Sequence, residues 1–262
     1  MCVQLRWLHL LPPARACKHD QLRRCLSKSL QHFEAGKEVA YILPGDSPSS
    51  SKRFRQHVNP LSKLYLQPIQ LPEWTKQFMD ASLPIHLDIG CARGKYLMDV
   101  AESQARERNF VGVEIRRNVL QEAEREARRR ELQNLAFVHA NINIHLPKLL
   151  HSFPGPVESV SILHPDPWIK KRHRKRRLVT EEFVKTMARH LSTGTPIYVQ
   201  TDVKELFAYM VEIFELSGLY TFDALFENPL RIPTDREKVV YNGGGKIYRI
   251  KFTVNKQEPE EV

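Results

Sequence analysis

The sequence predicts an α/β domain on one open sheet, mostly parallel, with helices on both faces and an antiparallel hairpin at its end. Three observations predict it. From about Leu61 onward, short apolar runs alternate with helical patterns, the signature of strand–helix–strand units. The first strand runs into a glycine-rich turn that opens a helix, Gly90-Cys91-Ala92-Arg93-Gly94. The last two strands follow one another with no helix between them, which suits an antiparallel pair rather than another parallel crossover.

Taken in order, Ile85-His86-Leu87-Asp88-Ile89 is the first strand, and its turn leads to a helix over about 95–105. The second strand is 110–114. The helix over about 117–131 carries Val119, Leu120, Ala123 and Ala127 on one face. Glu124 with Arg128, and Glu126 with Arg130, form i,i+4 pairs on its solvated face. Residues 135–139 and 157–163 are the third and fourth strands. Thr180 caps a helix over 181–190, with acids in its first turn. Residues 196–201 form the fifth strand, and a helix over 206–216 is closed by Gly218. Residues 219–226 and 246–254 complete seven strands. No internal repeat is found.

The chain has 262 residues, is 42% hydrophobic and carries a net charge of +10. That is enough for one full core with residues left over. No apolar run reaches the roughly 18 residues of a membrane span, so no membrane association is expected. The charge is unevenly spread. Residues 1–60 hold ten Lys/Arg against four acids, and residues 61–262 hold 30 against 26. Within that second part, residues 165–177 alone contribute seven bases against Asp166, so the remaining body is slightly acidic. A basic patch on a near-neutral domain marks a polyanion site. Cys2, Cys17, Cys25 and Cys91 have no zinc or disulfide spacing; no metal is expected, and a reduced compartment is the default.

Composition divides the chain into an extension, 1–52, a catalytic domain, 53–255, and a short tail, 256–262. The first nineteen residues contain Arg6, Arg15 and Lys18 and no acid, which suits an organelle transit peptide; a disordered tail or a misplaced start explains them equally well. Residues 45–51 are a linker by composition. Arg53 to Pro60 is basic with one aromatic, a nucleic-acid-contacting arm by the same reasoning.

Chemistry concentrates around His164-Pro165-Asp166-Pro167-Trp168 and the basic run 170–177 behind it. An acid and an indole at a strand's carboxyl end, where open α/β sheets bind ligands, stand beside a phosphate-seeking surface. The run alone is explained equally well by a solvated face or a nuclear-import signal. Asp88 precedes the glycine turn, and Glu114 ends the next strand, where an acid binds ribose hydroxyls. Asp88 puts a negative charge where a pyrophosphate would lie, and Lys95 is wrong for the close packing of a dinucleotide fingerprint. A ligand with an amine, a ribose and a sulfonium, S-adenosylmethionine, suits these acids better. Trp168 offers a stacking face for an unstacked base, and a turn-anchoring role explains it equally well.

Together, Leu87-Asp88-Ile89-Gly90-Cys91, Val113-Glu114-Ile115-Arg116, His164-Pro165-Asp166-Pro167-Trp168 with Lys170-Lys171-Arg172-His173, Thr201-Asp202 and Thr234-Asp235-Arg236-Glu237 resemble the tRNA (guanine-N7-)-methyltransferase family. The resemblance runs from about Arg53 to Phe252, in the family's order, and its specific block is the one around Asp166. Arg55 to Pro60 and Cys91 to Gly94 resemble the cyanobacterial and plastid members, which favours a plastid-targeting role for the extension over a cytoplasmic protein.

The resemblance implies a class I, Rossmann-like methyltransferase sheet and S-adenosylmethionine as cofactor. Asp88, Gly90, Glu114 and Asn141 would bind that cofactor, Asn141 standing where the family has an acid that faces the adenine. Asp166 corresponds to the catalytic acid. Lys170, Asp202, Thr234, Asp235, Arg236 and Glu237 match substrate-binding positions. Ala92 replaces a more usual glycine, which raises a question about the geometry of the cofactor loop. The implied reaction is methylation of guanine N7 in the variable loop of tRNA, position 46, by a chain with tRNA as its partner and no obligate protein partner, as monomer or homodimer. Methylation of another RNA base and a non-catalytic RNA-binding subunit are the alternatives.

Overall fold

The computed structural model describes residues 57–225 and 227–256. The extension over 1–52, the linker, most of the basic arm, Phe226 and the tail from 257 lie outside the described residues.

Seven strands form one sheet in the order β3-β2-β1-β4-β5-β7-β6. They are β1 Ile85–Ile89, β2 Asn109–Glu114, β3 Leu135–His139, β4 Val157–Leu163, β5 Pro196–Thr201, β6 Tyr220–Ala224 and β7 Tyr248–Val254. The pairs β1–β2, β2–β3, β1–β4 and β4–β5 are parallel, while β7 runs antiparallel to both β5 and β6. This is the mostly parallel seven-stranded sheet with a reversed end that the family resemblance implies. Every residue of β1 and β2 is buried, as strands covered by helices on both faces must be.

The helices are α1 Trp74–Gln77, α2 Lys95–Ser103, α3 Arg117–Arg129, α4 Ile142–Ser152, α5 Glu181–His190, α6 Lys204–Ser217 and α7 Asp235–Asn242. Thr180 caps α5 as expected, its hydroxyl accepting from the Phe183 amide at 3.2 Å. Gly218 ends α6 in the left-handed conformation, also as expected. Phe214 of α6 stacks on Phe252 of β7 with ring centroids 4.0 Å apart, which anchors the antiparallel end to the core.

Besides the four-residue α1, where no helix was expected, two longer helices depart from the reading of the sequence. Helix α4 fills the link between β3 and β4, although it contains Pro147. Buried Ile142, Leu146 and Leu149 stand at i, i+4 and i+7, so the burial of one apolar face outweighs the backbone bond that proline removes. Helix α7 interrupts the stretch between β6 and β7, where no helix was expected. It starts at a capping box: the Thr234 hydroxyl accepts from the Glu237 amide at 3.1 Å, and Glu237 accepts from the Thr234 amide at 2.7 Å. The two strands still pair, because α7 is an excursion that returns to the same sheet edge.

The sheet order reverses between β1 and β4, where ligands of open α/β sheets bind. The carboxyl ends of β3, β2, β1, β4 and β5 lie side by side along one edge. These strand ends and the turns that leave them carry Asn141, Glu114, Asp88, Asp166 and Asp202, in that spatial order.

Candidate active site

Asp88 belongs to β1 and is only 4% exposed. Its Oδ1 accepts from the Ser161 hydroxyl on β4 at 2.6 Å. Burial, offset in part by that bond and reinforced by the Glu114 charge, raises its pKa to about 6. Behind it, His86 bridges Ser159 (Nδ1, 2.7 Å) and Ser161 (Nε2, 3.0 Å). Burial, and then the Arg108 charge, lower the His86 pKa to about 3, so the ring is neutral. Since Ser161 gives its proton to Asp88, the network assigns the imidazole proton to Nε2. Among the described residues, no cation offsets the burial of the Asp88 carboxylate.

Glu114, at the end of β2, is 4% exposed and gripped by Arg116. The Arg116 amide and Nε donate to Oε1 at 2.9 and 3.1 Å, and Nη2 donates to Oε2 at 2.9 Å. The pairing of Glu114 with Arg116 is thus a structural fact. Those three bonds take both acceptor positions of Oε1 and one of Oε2, which leaves one on Oε2 for a hydroxyl.

Between the two acids, the amides of Gly90 and Cys91 donate to the Val113 carbonyl at 2.8 and 3.1 Å, which pins the loop against β2. Gly90 has φ +86, and a Cβ placed there would meet no protein atom within 4 Å. It would fill an open cradle. Ala92 adopts φ +50, so alanine holds the left-handed turn that a glycine would favour, at a strain of about 1 kcal/mol. A buried acid lacking a cation, a second acid at the next strand and an open glycine cradle between them fit the ammonium and ribose of S-adenosylmethionine.

Asn141 precedes α4 on the β3 side. Its Nδ2 donates to the Pro60 carbonyl at 2.9 Å.

Asp166 follows β4 on a turn with unusual backbone, His164 and Trp168 having φ +52 and +40. Its carboxylate is 43% exposed. Burial raises its pKa, against the opposing pull of His57 and Arg116, and Glu114 adds to the rise. The Glu114 and Arg116 charges therefore both act on this carboxylate. Asp166 Oδ1 and His57 Nδ1 stand 2.6 Å apart.

Trp168 is half-buried and already has neighbours. The Arg176 guanidinium lies 5.1 Å from its ring centroid, with His173 at 5.6 Å and His57 at 5.8 Å. That environment supports the turn-anchoring role. The basic run divides in two. Lys170, Lys171, Arg172, Arg174 and Lys175 are exposed, most of them on the 3-10 turn Lys171–Arg176. Arg177 is buried: its Nε donates to the Pro167 carbonyl at 3.0 Å and its guanidinium lies 4.2 Å from the Tyr209 ring centroid.

On the far side, Asp202 after β5 holds His164 Nδ1 at 3.1 Å with one oxygen and Arg236 with the other. Burial works against its ionisation, but those two hydrogen bonds outweigh it and lower its pKa. His164 Nε2 accepts from Gln200 Nε2 at 2.8 Å, and Gln200 Oε1 accepts from buried Arg249 at 2.7 Å. Arg249 in turn pairs with buried Glu237. Thr234 and Glu237 are thus committed to the capping box and this network. Asp235 is exposed, 3.6 Å from both Lys95 and Lys238, and Arg236 reaches Asp202.

The structure places Asp88, Gly90, Glu114 and Asp166 at the ends of the neighbouring strands β2, β1 and β4, with exposed Lys170 following Asp166, and Asp202 and Arg236 on the β5 side. Reading the sequence placed His57 only within the basic arm and Arg116 only within the block around Glu114, and missed Ser161, Gln200 and Arg249 as parts of the site. Only Arg249, a charge inside an apolar strand, left a signal that could have been followed.

Comparison with known proteins bears on the family. Residues 82–250 match the family model described as "Putative methyltransferase". A tRNA (guanine-N(7)-)-methyltransferase of Microcystis aeruginosa is 44% identical over 207 residues, 77% of this chain and 98% of that protein. The enzyme of the same name from Synechococcus elongatus is 45% identical over 204 residues, 76% of this chain and 95% of the relative. That of Thermosynechococcus vestitus is 42% identical over 203 residues, covering 76% and 94%.

Proposed function

The chain belongs to the tRNA (guanine-N7-)-methyltransferase family, and from that membership we infer that it methylates guanine N7 in tRNA with S-adenosylmethionine, in the variable loop at position 46. The observation that carries the site assignment is the Asp166 carboxylate. It follows β4 at the point where the sheet order reverses, feels the Arg116 and Glu114 charges, and has five exposed cations within ten residues.

When bound, S-adenosylmethionine supplies an electrophilic methyl group on a sulfonium. Asp88 holds its ammonium, which provides the positive charge that the buried carboxylate lacks. Gly90 lets the chain approach closely, Glu114 accepts from a ribose hydroxyl through its remaining Oε2 position, and Asn141 stands on the adenine side. Guanine N7 carries a free lone pair at neutral pH, so Asp166 does not need to remove a proton. It accepts from the N1–H and the N2 amino group of the guanine and offsets the positive charge that the ring gains, which combines orientation with electrostatic stabilisation. Lys170 and its exposed neighbours hold tRNA phosphates. Asp202 and Arg236 extend the substrate surface. Asp235 lies next to them, and Thr234 and Glu237 support that surface from within. The chain acts without an obligate protein partner, and the extension directs it to a plastid.

The test is to incubate purified chain with unmodified tRNA and S-adenosylmethionine and to map the modified nucleotide. The expected product is 7-methylguanosine in the variable loop, lost with Asp166→Ala while tRNA binding persists. A methyl group on another base, or binding without methylation by the unaltered chain, would overturn the reading.

A further inference from the structure

The segment ahead of the sheet, residues 57–60, lies across the strand ends. Two hydrogen bonds fix it: His57 to Asp166 at 2.6 Å, and the Pro60 carbonyl accepting from Asn141 at 2.9 Å. Asn59 starts the turn that carries the chain on from this segment, with its side chain accepting from the Leu61 amide and its carbonyl from the Ser62 amide. Asn141 follows β3 and Asp166 follows β4, and in the sheet these strands are separated by β2 and β1. Residues 57–60 therefore pass over the carboxyl ends of the two strands that carry Glu114 and Asp88. The span is physically reasonable. Three strand spacings amount to roughly 14 Å, of which three extended residue steps cover about 10 Å, and the His57 and Asn141 side chains supply the rest.

We propose that His57 is a positioning residue for the target guanine: its imidazole N–H holds one oxygen of Asp166, so that the carboxylate presents its remaining lone pairs to the base. The inference rests on the reading of Asp166 as the group that grips guanine. An ionised carboxylate offers about four acceptor positions; the imidazole takes one, and the guanine N1–H and N2 amino group take two. Contact and fit are therefore compatible. The imidazole also lies 5.8 Å from the Trp168 ring, tilted by 56°, which ties the carboxylate's orientation to the turn that carries the basic run. The other charged groups acting on Asp166 are Arg116 and Glu114, from the end of β2 and the turn behind it. His57 is the one that comes from outside the sheet edge.

The experiment measures kcat/KM for tRNA methylation against pH, at saturating S-adenosylmethionine so that titration of Asp88 does not set the acid limb. Unaltered chain, Asp166→Ala, His57→Phe and His57→Gln are compared. His57→Phe keeps a ring beside Trp168 and removes the donor; His57→Gln keeps a donor. A hydrogen bond to a charged group predicts a loss of about tenfold or more in His57→Phe. Its acid limb should move to higher pH, because the effect of burial on Asp166 is then less opposed. His57→Gln should recover most of the rate, with matching denaturation midpoints throughout. His57→Phe equal to the unaltered chain at every pH overturns the inference. Equal losses in both variants with an unmoved limb also overturn it, since they would mark a purely structural residue. So does a faster His57→Phe, which would mean that the imidazole competes with the guanine. Unaltered chain that fails to methylate tRNA guanine refutes the functional reading itself. An active chain that loses its activity with Asp166→Ala but not with His57→Phe refutes only the role of His57.

Discussion

Removing the Glu237 carboxylate should act first on stability and only second on tRNA. Glu237 is 1% exposed, and its carboxylate meets Arg249, the Thr234 amide and Asn228 Nδ2. Glu237→Ala leaves the Arg249 guanidinium buried with Gln200 and Tyr241 as neutral partners. Breaking a buried pair from one side costs about 3–5 kcal/mol, and loss of the reciprocal cap adds about 1 kcal/mol. For a domain of this size each kcal/mol is worth roughly 2–4 °C, so the melting temperature should fall by about 8–24 °C. Glu237→Leu combined with Arg249→Met removes both charges and should recover much of the loss, because two apolar groups leave neither charge unpaired. Urea denaturation and tRNA affinity are measured on the same preparations, at a temperature where each variant is folded. A midpoint within about 1 kcal/mol of the unaltered chain, together with a large loss of tRNA affinity, would refute the structural assignment and make Glu237 a direct tRNA contact.

Three further outcomes rest on the same geometry. The folded pKa of Asp88, about 6, lies above its ordinary 3.8, so its contribution favours folding below about pH 4 and is lost as pH rises through 6, by about 3 kcal/mol in all. Asp88→Asn should therefore raise the melting temperature at pH 7.5 while abolishing S-adenosylmethionine binding by calorimetry; a destabilised variant with intact binding would contradict this. In the unaltered chain, cofactor affinity should fall as pH drops below 6. Replacing Lys170, Lys171 and Arg172 together by alanine should lower the slope of log affinity against log salt for tRNA by about 2–3, and an unchanged slope would place the phosphates elsewhere. Ala92→Gly relieves a left-handed alanine and should leave stability unchanged or raise it by up to about 1 kcal/mol with cofactor affinity intact, whereas Gly90→Ala fills the cradle and should weaken cofactor binding more than it weakens the fold.

Much of the architecture was legible because strands and helices declare themselves by local pattern. Asp88 and Glu114 could be placed at strand ends from the apolar runs around them, and Thr180 and Gly218 carry capping chemistry that works within one turn. Helix α4 was missed because Pro147 reads as a breaker when its buried face is out of view. Helix α7 was missed although Thr234-Asp235-Arg236-Glu237 spells a capping box; the family resemblance points those residues at substrate, which hides their local role. The basic run reads as one block along the chain, but Arg177 belongs to the interior, where it packs on Tyr209.

What the sequence determined by itself is the set of chemical groups and the strand ends on which they ride, since apolar period, capping and glycine turns are all short-range. What only the tertiary structure decided is who faces whom. Parallel strands separated by roughly 20 to 70 residues come together in the order β3-β2-β1-β4, and that order brings His57 to Asp166 and Asn141 to Pro60. The same packing pairs Arg249 with Glu237 and leaves Asp88 buried without a cation. Partnerships of this kind depend on distances across the sheet, and no spacing along the chain encodes them.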